Sequence, residues 1–250
     1  MKKDHFSQQS DLYLKYRPGY PTALFERIAD QAPNRFRAVD LATGNGQAAV
    51  GLAAHFEEVV ALDGSAGQIQ QAIAHPKIRY GVAPAEKTGL PDCSASVVTV
   101  AQALHWFDLP TFWPELDRIL MPKGIFVAWS YALMEISAQI DSIWLHFYRE
   151  TLKDTWPADR AHVEEGYKNL GLPNWLAQWS GFELIESWTR EQFTGYVRTW
   201  SGVKRFQQQF GTDPSLELDA ELASVWPDGD RKTIRWPLNV FWGCPKVQSS

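Results

Sequence analysis

The residues whose types and spacing most clearly suggest a chemical role form a short segment near the start of the chain. Segment 40–46 contains Asp40, Gly44 and Gly46, and it follows an apolar run and precedes residues with helical spacing. Glycine is needed where the backbone takes a positive φ or where a ligand approaches closely. A Gly-X-Gly turn between a strand and a helix lies at the carboxyl edge of an open α/β sheet, where such proteins bind ligands. The segment therefore predicts a ligand-binding turn.

A second acid extends this pattern. Asp63 ends the next apolar run, one helix and one strand after Gly46, which suits an acid that hydrogen-bonds both hydroxyls of a ribose. The same residues also fit the dinucleotide fingerprint, a Gly-X-Gly-X-X-Gly/Ala turn with an acid about 20 residues further on. Two kinds of ligand are therefore open, a nicotinamide dinucleotide and a phosphate-free nucleoside. A plain structural turn is the third interpretation.

Asp40 helps to separate the two ligands. The pyrophosphate of a dinucleotide rests on the helix N-terminus that such a turn creates. A carboxylate at the tip of the same strand would repel those phosphates, at a cost of order 1 kcal/mol or more. S-adenosylmethionine carries an ammonium and a sulfonium and no phosphate. Asp40 therefore favours S-adenosylmethionine as the cofactor.

Strand and helix patterns alternate roughly five times in the first half of the chain, which indicates βαβ units. We expect an α/β fold with a doubly wound, mostly parallel, seven-stranded sheet. A long helix is predicted over 136–152, and two later strands over 182–188 and 232–241, with a helical insertion between them that folds over the site as a cap. Residues 1–135 are expected to form the binding core with an N-terminal lid segment, and 136–250 the remaining helices, cap and strands of the same domain.

Composition restricts the partners. The chain has 250 residues and a formal net charge of −5, which gives no electrostatic reason to bind a nucleic-acid backbone. The start is polar rather than apolar, and no run approaches the ~20 apolar residues of a membrane helix. Cys93 and Cys244 have no ligand-like spacing. We therefore expect a cytoplasmic protein with no metal, no nucleic acid and no membrane as partner.

The turn resembles the class I S-adenosylmethionine-dependent methyltransferases, and within them the methyltransferase type 11 group. Their Asp-X-X-X-Gly-X-Gly pattern is matched by the segment 40–46. Ala42 stands where this family usually has another glycine, and an alanine is tolerable there if the backbone keeps a negative φ. The resemblance implies that Asp63 binds the ribose and that Gly64 lies under the adenine.

The turn after the third predicted strand is similar to the Gly-Asp-Ala-Glu turn of the same family. Ala85 and Glu86 match it, whereas Pro84 replaces the acid that often holds the adenine amino group. The resemblance therefore places Ala85 and Glu86 at the cofactor, with Glu86 or backbone groups in the role of the missing acid.

Two further segments narrow the resemblance to the trans-aconitate methyltransferase-like branch. These are Ala-Gln-Ala-Leu-His-Trp-Phe at 101–107 and Tyr-Leu-Lys-Tyr-Arg-Pro-Gly-Tyr-Pro at 13–21. The resemblance places Gln102 at the cofactor and implies that Tyr13 and Arg17 contact the cofactor's carboxylate, which the planar fork of an arginine suits. It implies methyl transfer to a small molecule, with a carboxylic acid as one candidate. An NAD(P)-dependent oxidoreductase and a non-catalytic cofactor-binding protein are the alternatives.

Methyl transfer requires alignment of donor and acceptor more than a catalytic triad. A carboxylate acceptor is already ionised at neutral pH, whereas a hydroxyl or amine benefits from a general base. His105 is the candidate base, because it follows a strand at the ligand-binding edge. The alternative is a structural histidine that orients Trp106 or borders the cofactor.

The second half of the chain is rich in tryptophan. Of the 12 tryptophans, all except Trp106 and Trp113 lie from Trp129 onward. They predict either a core of large side chains or an aromatic-walled pocket in the cap. A group of cap cations could hold an anionic substrate or form a solvated face. It consists of Arg198, Lys204 and Arg205.

Overall fold

The computed structural model describes residues 18–131 and 133–245, and its first half alternates strands with helices. The strands are β1 (Arg37–Leu41), β2 (Glu58–Asp63), β3 (Ile78–Val82), β4 (Ala95–Ala101) and β5 (Leu120–Tyr131). The helices are α1 (Thr22–Gln31), α2 (Gln47–Ala53), α3 (Ala66–Gln70) and α4 (Leu109–Ile119), and a 3₁₀ turn covers Leu104–Trp106.

The second half adds three strands and five helices. The strands are β6 (Ala177–Trp179), β7 (Glu183–Trp188) and β8 (Lys232–Gly243). The helices are α5 (Ala138–His146), which continues into a π turn (Phe147–Thr151), α6 (Arg160–Glu164), α7 (Arg190–Val197), α8 (Ser201–Phe210) and α9 (Ser215–Leu222). The predicted long helix and the predicted strand pair with a helical insertion are therefore both present.

The sheet has the order β3-β2-β1-β4-β5-β8-β6. Strands β1 to β5 pair in parallel, and β8 pairs antiparallel with β5, β6 and β7. Apolar side chains of β1 alternate between the two faces, so that each face carries its own buried cluster. This is a mostly parallel sheet between two helical layers, which confirms the predicted fold class.

Eight strands occupy seven positions across the sheet, because β6 and β7 follow one another along the same edge of β8. Trp179 pairs with Val240, and Glu183 pairs with Pro237. Between these two pairs the Phe182 carbonyl accepts from the Leu238 N–H at 2.9 Å. The intervening Gly181 has a φ of 86° and interrupts the strand there. The last position is thus one strand broken by a glycine.

The insertion α7–α9 begins and ends at the carboxyl edge of the parallel strands. It leaves β7 after Trp188 and returns at Lys232, and these two residues are paired. Tyr131, at the end of β5, pairs with Leu238, so residues 232–237 of β8 extend beyond that end. The helices of the insertion therefore lie on the side of the sheet where the glycine turn is found.

Several of the tryptophans from Trp129 onward belong to the core. Trp129, Trp144, Trp226 and Trp236 are all between 0% and 1% exposed. The core interpretation therefore holds for these four tryptophans. None of the helices in the two described ranges is long and apolar enough to cross a membrane, and the same ranges bring no three His, Cys, Asp or Glu side chains together as metal ligands.

Candidate functional site

The glycine turn after β1 is built from three left-handed residues. Ala42, Gly44 and Gly46 have φ values of 52°, 58° and 88°. The condition under which an alanine would fit without strain, a negative φ at position 42, is therefore not met. The reason lies in the turn itself, because the chain turns directly after β1 while the Thr43 N–H donates to the Leu62 carbonyl at 3.0 Å. An alanine in this conformation costs about 1–2 kcal/mol.

The two glycines are required for different reasons. A Cβ on Gly46 would overlap the Tyr80 ring, with Cε1 and Cζ at 2.9 Å. A Cβ on Gly44 would meet only the Gln68 Oε1, at 3.8 Å. Gly46 therefore permits a close internal contact, whereas the space beside Gly44 is open for a ligand.

Asp63 ends β2 and fastens the turn to the next helix. Its Oδ2 accepts from the Gly44 N–H and its Oδ1 from the Ser65 N–H, both at 2.8 Å. Ser65 then caps α3 by accepting from the Gln68 N–H. The carboxylate is half-buried at the edge of the sheet, and Gly64 beside it is exposed.

Asp40 lies beneath the turn rather than at its mouth. It is completely buried, and its two carboxylate oxygens accept from the hydroxyls of Thr43 at 2.6 Å and Thr99 at 2.7 Å. Burial raises the pKa of Asp40 to about 6, and repulsion from Asp63 adds to the rise while the two threonine hydrogen bonds oppose it. Asp40 would therefore attract a cationic ligand across the residues of the turn, without touching that ligand.

The turn after β3 contains Ala85 and Glu86, the two residues that the resemblance places at the cofactor. Ala85 is buried, with its side chain in the core. The Glu86 Oε1 accepts from the Asp108 N–H at 2.9 Å, at the start of α4. Glu86 thus joins this turn to the segment that follows β4, and Asp63 pairs with Val82 next to it.

Gln102, directly after β4, carries two marks of a functional position. Its φ is 58°, and its backbone N–H donates to the Trp129 carbonyl at 2.8 Å. The side chain is only 9% exposed, yet its buried Oε1 has no hydrogen-bond partner among the residues that the structure describes. A strained backbone and an unsatisfied buried amide each cost about 1–3 kcal/mol, and such features gather at ligand sites.

His105 contacts a residue, Tyr167, that sequence analysis did not identify as part of the site. Its Nδ1 is 3.3 Å from the Tyr167 hydroxyl, and its ring contacts Trp106 with centroids 4.7 Å apart. Tyr167 is fully buried with a φ of 64°, and it follows Gly166, whose φ is 59°. A Cβ on Gly166 would lie 2.7 Å from the Asn239 side chain. Only the glycine at 166 hinted at this arrangement.

The N-terminal contacts lie partly outside the described residues. Tyr13 and Arg17, the residues implied for the cofactor carboxylate, both fall there. The chain directly after them lies beside the glycine turn, because the Pro18 carbonyl accepts from the Gln47 side chain at 2.7 Å. Tyr20 then packs edge-on against Trp129 with ring centroids 5.4 Å apart.

The three cap cations have different environments. Arg198 donates to the Ser215 hydroxyl at 2.9 Å and pairs with Asp213 at 3.3 Å, which is a structural role. Lys204 is half-buried, and burial lowers its pKa. Arg205 is exposed on α8. Anion binding by these three residues stays a prediction.

Residues 39–128 match a methyltransferase domain family. A protein of Dictyostelium discoideum that is named as a methyltransferase is 33% identical over 244 residues, which cover 95% of this chain and 93% of that protein. The chain belongs to the class I S-adenosylmethionine-dependent methyltransferases. A yeast protein named as an S-adenosylmethionine-dependent methyltransferase is 30% identical over 132 residues, 49% of this chain and 45% of its own length.

A solved structure supports the same assignment. A type II methyltransferase from Anaeromyxobacter dehalogenans is 40% identical, with a TM-score of 0.84, and the match covers 91% of this chain and 97% of that one. S-adenosyl-L-methionine is therefore the cofactor of the present chain. An NAD(P)-dependent oxidoreductase is not favoured, because these relatives are named as methyltransferases.

Proposed function

We propose that this enzyme methylates a small molecule in the cytoplasm, and that carboxylic acids are among the acceptors to be tested. The observation that supports the cofactor side of this activity is the pair of carboxylates at the glycine turn, with Asp40 beneath it and Asp63 bonded to the Gly44 N–H. Their mutual repulsion contributes to the raised pKa of Asp40, and within the described ranges no basic side chain pairs with Asp40. A cationic nucleoside without phosphates relieves this repulsion, whereas a pyrophosphate adds to it.

The residues at this edge suit the cofactor. Gly44 leaves open space, Gln102 offers an unsatisfied amide oxygen, and a carboxylate such as Asp63 has about four lone-pair positions for N–H and O–H donors. We assign the ribose hydroxyls to Asp63. The residues proposed to form the cofactor site, by direct contact or by supporting the glycine turn, are Tyr13, Arg17, Asp40, Gly44, Gly46, Asp63, Gly64, Ala85, Glu86 and Gln102.

When bound, the cofactor supplies a methyl group already activated by its sulfonium. The protein holds the acceptor in line with that methyl, and alignment can supply ~7–11 kcal/mol of the barrier. For a hydroxyl or amine acceptor, His105 would take the acceptor's proton as the bond from the acceptor to the methyl carbon forms and the bond from that carbon to sulfur breaks. A carboxylate acceptor has no proton to lose and needs no base. Tyr167 supports His105 by its contact with Nδ1.

The cofactor assignment is tested by calorimetry with S-adenosylmethionine and, separately, NAD. We expect Asp63→Ala to weaken S-adenosylmethionine binding by at least about tenfold, because the hydrogen bonds of a charged group are lost. Asp117→Ala is the matched control, since Asp117 is an exposed acid on α4. Equal affinities for the two variants, with both folded by circular dichroism, would contradict the ribose assignment.

The acceptor assignment is tested with methyl-labelled cofactor. Small carboxylic acids, phenols and amines are each incubated with the enzyme, and a bulk transfer RNA is included as a macromolecular acceptor. We expect label in at least one small-molecule class. Label confined to RNA would exclude the proposed function while leaving the cofactor assignment intact.

A further inference from the structure

The segment between β5 and β6 contains an arginine that lies against aromatic rings. Arg160 begins α6, and its guanidinium carbon is 5.2 Å from the Trp156 ring centroid and 5.7 Å from that of Tyr148. Its Nε donates to the Tyr148 hydroxyl at 2.8 Å and lies 3.6 Å from the Glu164 Oε1. These contacts fix the plane of the guanidinium and use its Nε edge.

The opposite end of the same guanidinium is available. Within residues 18–131 and 133–245, no acceptor is bonded to Nη1 or Nη2 of Arg160, and 32% of its side-chain surface is exposed. Arg190, at the start of the α7–α9 insertion, shows how a fully bonded arginine differs from this. Its three nitrogens bond to Asp219, to the Trp226 carbonyl and to Asp228. Arg190 thus has the full set of partners expected of a structural arginine, and Arg160 does not.

The surroundings of Arg160 are apolar and flat. Tyr148 and Trp156 lie with ring centroids 4.4 Å apart, and Trp200 contacts both, at 5.6 Å and 5.9 Å. Helix α8 approaches this cluster closely, because a Cβ on Gly202 would be 3.1 Å from the Trp156 ring. The cluster is joined to the sheet through Tyr196, which contacts both Trp200 and Trp236. Trp236 lies in the part of β8 that extends past the carboxyl end of β5.

The segment that carries Arg160 also reaches the proposed base. Helix α6 ends at Glu164, and the left-handed pair Gly166–Tyr167 follows at once. Tyr167 contacts His105. One short stretch of chain therefore joins the arginine to the catalytic edge.

We propose that Arg160 binds the carboxylate of a planar, aromatic or unsaturated, acid that is the methyl acceptor. This rests on the proposed function and names its substrate class. The two Nη groups match the two oxygens of one carboxylate. The charge favours a single carboxylate over a phosphate dianion, because Glu164 already offsets part of the positive charge. Tyr148 is buried and holds the arginine in place, and the half-buried rings of Trp156 and Trp200 suit a flat hydrocarbon frame.

Binding can be measured without turnover, since tryptophans form the wall of the site. The probes are benzoate, 4-hydroxybenzoate and trans-cinnamate, each paired with its neutral amide and titrated against tryptophan fluorescence with S-adenosylhomocysteine present. We expect at least one acid to bind about tenfold or more tightly than its amide, as hydrogen bonds to charged groups predict. Arg160→Gln should remove this preference, and Arg160→Lys should keep part of it because the charge remains.

Arg79→Gln is the matched control, because it removes the same charge from an exposed position on β3, and it should leave the preference unchanged. The inference is overturned if no acid binds better than its amide, or if Arg160→Gln keeps the preference of the wild type. Calorimetry with S-adenosylmethionine separates this result from the proposed function. Acid binding without cofactor binding would exclude the proposed function alone, and cofactor binding without acid preference would exclude the role of Arg160 alone.

Discussion

Two left-handed corners lie at the same edge of the sheet, the turn 42–46 and the pair Gly166–Tyr167. In the turn, two hydrogen bonds join partners that are close in sequence, with Asp40 three residues from Thr43 and Gly44 nineteen from Asp63. A third joins Asp40 to Thr99 across 59 residues. In the second corner, Tyr167 meets His105 across 62 residues. The cofactor half thus combines local hydrogen bonds with one distant hydrogen bond, whereas the contact between Tyr167 and His105 exists only after the chain has folded.

Each corner also contains one residue that adopts the left-handed conformation although it is not glycine. Ala42 and Tyr167 have φ values of 52° and 64°, a conformation that costs about 1–2 kcal/mol for such residues. The turn gains an extra hydrogen bond from this, and the second corner gains a buried hydroxyl beside His105. The strain is found where the polar groups of the site are placed.

The largest effect is expected from Gly46→Ala. The new Cβ combines a φ of 88° with overlap of the Tyr80 ring, so we expect a loss of about 3 kcal/mol in the free energy of unfolding and loss of cofactor binding. Gly44→Ala, which meets only a distant side-chain atom, should cost about 1 kcal/mol. Urea denaturation of both variants checks this, and equal losses would show that the Tyr80 contact is unimportant.

Asp40→Asn tests the buried acid of the turn. The pKa of Asp40 is about 6 in the folded protein and about 3.9 when unfolded, so the folded state holds the proton more tightly. Wild-type stability should therefore fall as pH rises from about 4 to 6, by up to about 3 kcal/mol, and the variant should lack this fall. The measurement is the difference in unfolding free energy between variant and wild type at each pH. A difference independent of pH would contradict the raised pKa, and Asp117→Asn serves as the exposed control.

Tyr167→Phe tests the second corner. Loss of the hydroxyl should lower kcat for a hydroxyl or amine acceptor by about tenfold and shift the acidic limb of its pH profile, because positioned acid–base groups contribute 10²–10⁴-fold. Transfer to a carboxylate should change little. In the double variant with His105→Ala, the tyrosine change should have no further effect. An additive effect would mean that Tyr167 acts independently of His105.

Ala42→Gly is expected to have the smallest effect. It releases the left-handed strain but increases the freedom of the unfolded chain, so a net gain of up to about 1 kcal/mol is expected. Ala223→Gly, at an exposed residue with a φ of −56°, should be destabilising instead. Thermal unfolding of the two variants compares the signs. A loss in both would show that Ala42 is not strained.

The sequence predicted the local half of the site better than the distant half. The strand–glycine–helix pattern around Gly44 and the position of Asp63 follow from short-range rules, and the structure brings them into contact. The φ of Ala42 was not predictable, because it depends on the pairing of Thr43 with β2. Tyr167 and Arg160 belong to no periodic pattern or motif, and their roles depend on contacts with residues that are remote in sequence or in other elements.

The fold was predictable for a related reason. Parallel βαβ units are indicated by strong local sequence patterns. Five alternations of strand and helix leave few possible topologies for the sheet. The break between β6 and β7 was not foreseen, because Gly181 could equally have ended a strand or interrupted one.

The way in which the α7–α9 insertion joins the sheet has a consequence for diversification among related enzymes. The insertion begins and ends at the paired residues Trp188 and Lys232, and Arg190 at its start is bonded to Asp228 near its end. In topology it is therefore one long hairpin connection, and a change in the length of such a connection has only a small entropic cost. We expect related enzymes to exchange or remodel this insertion, and with it their acceptors, while the strands that carry the cofactor site stay in register.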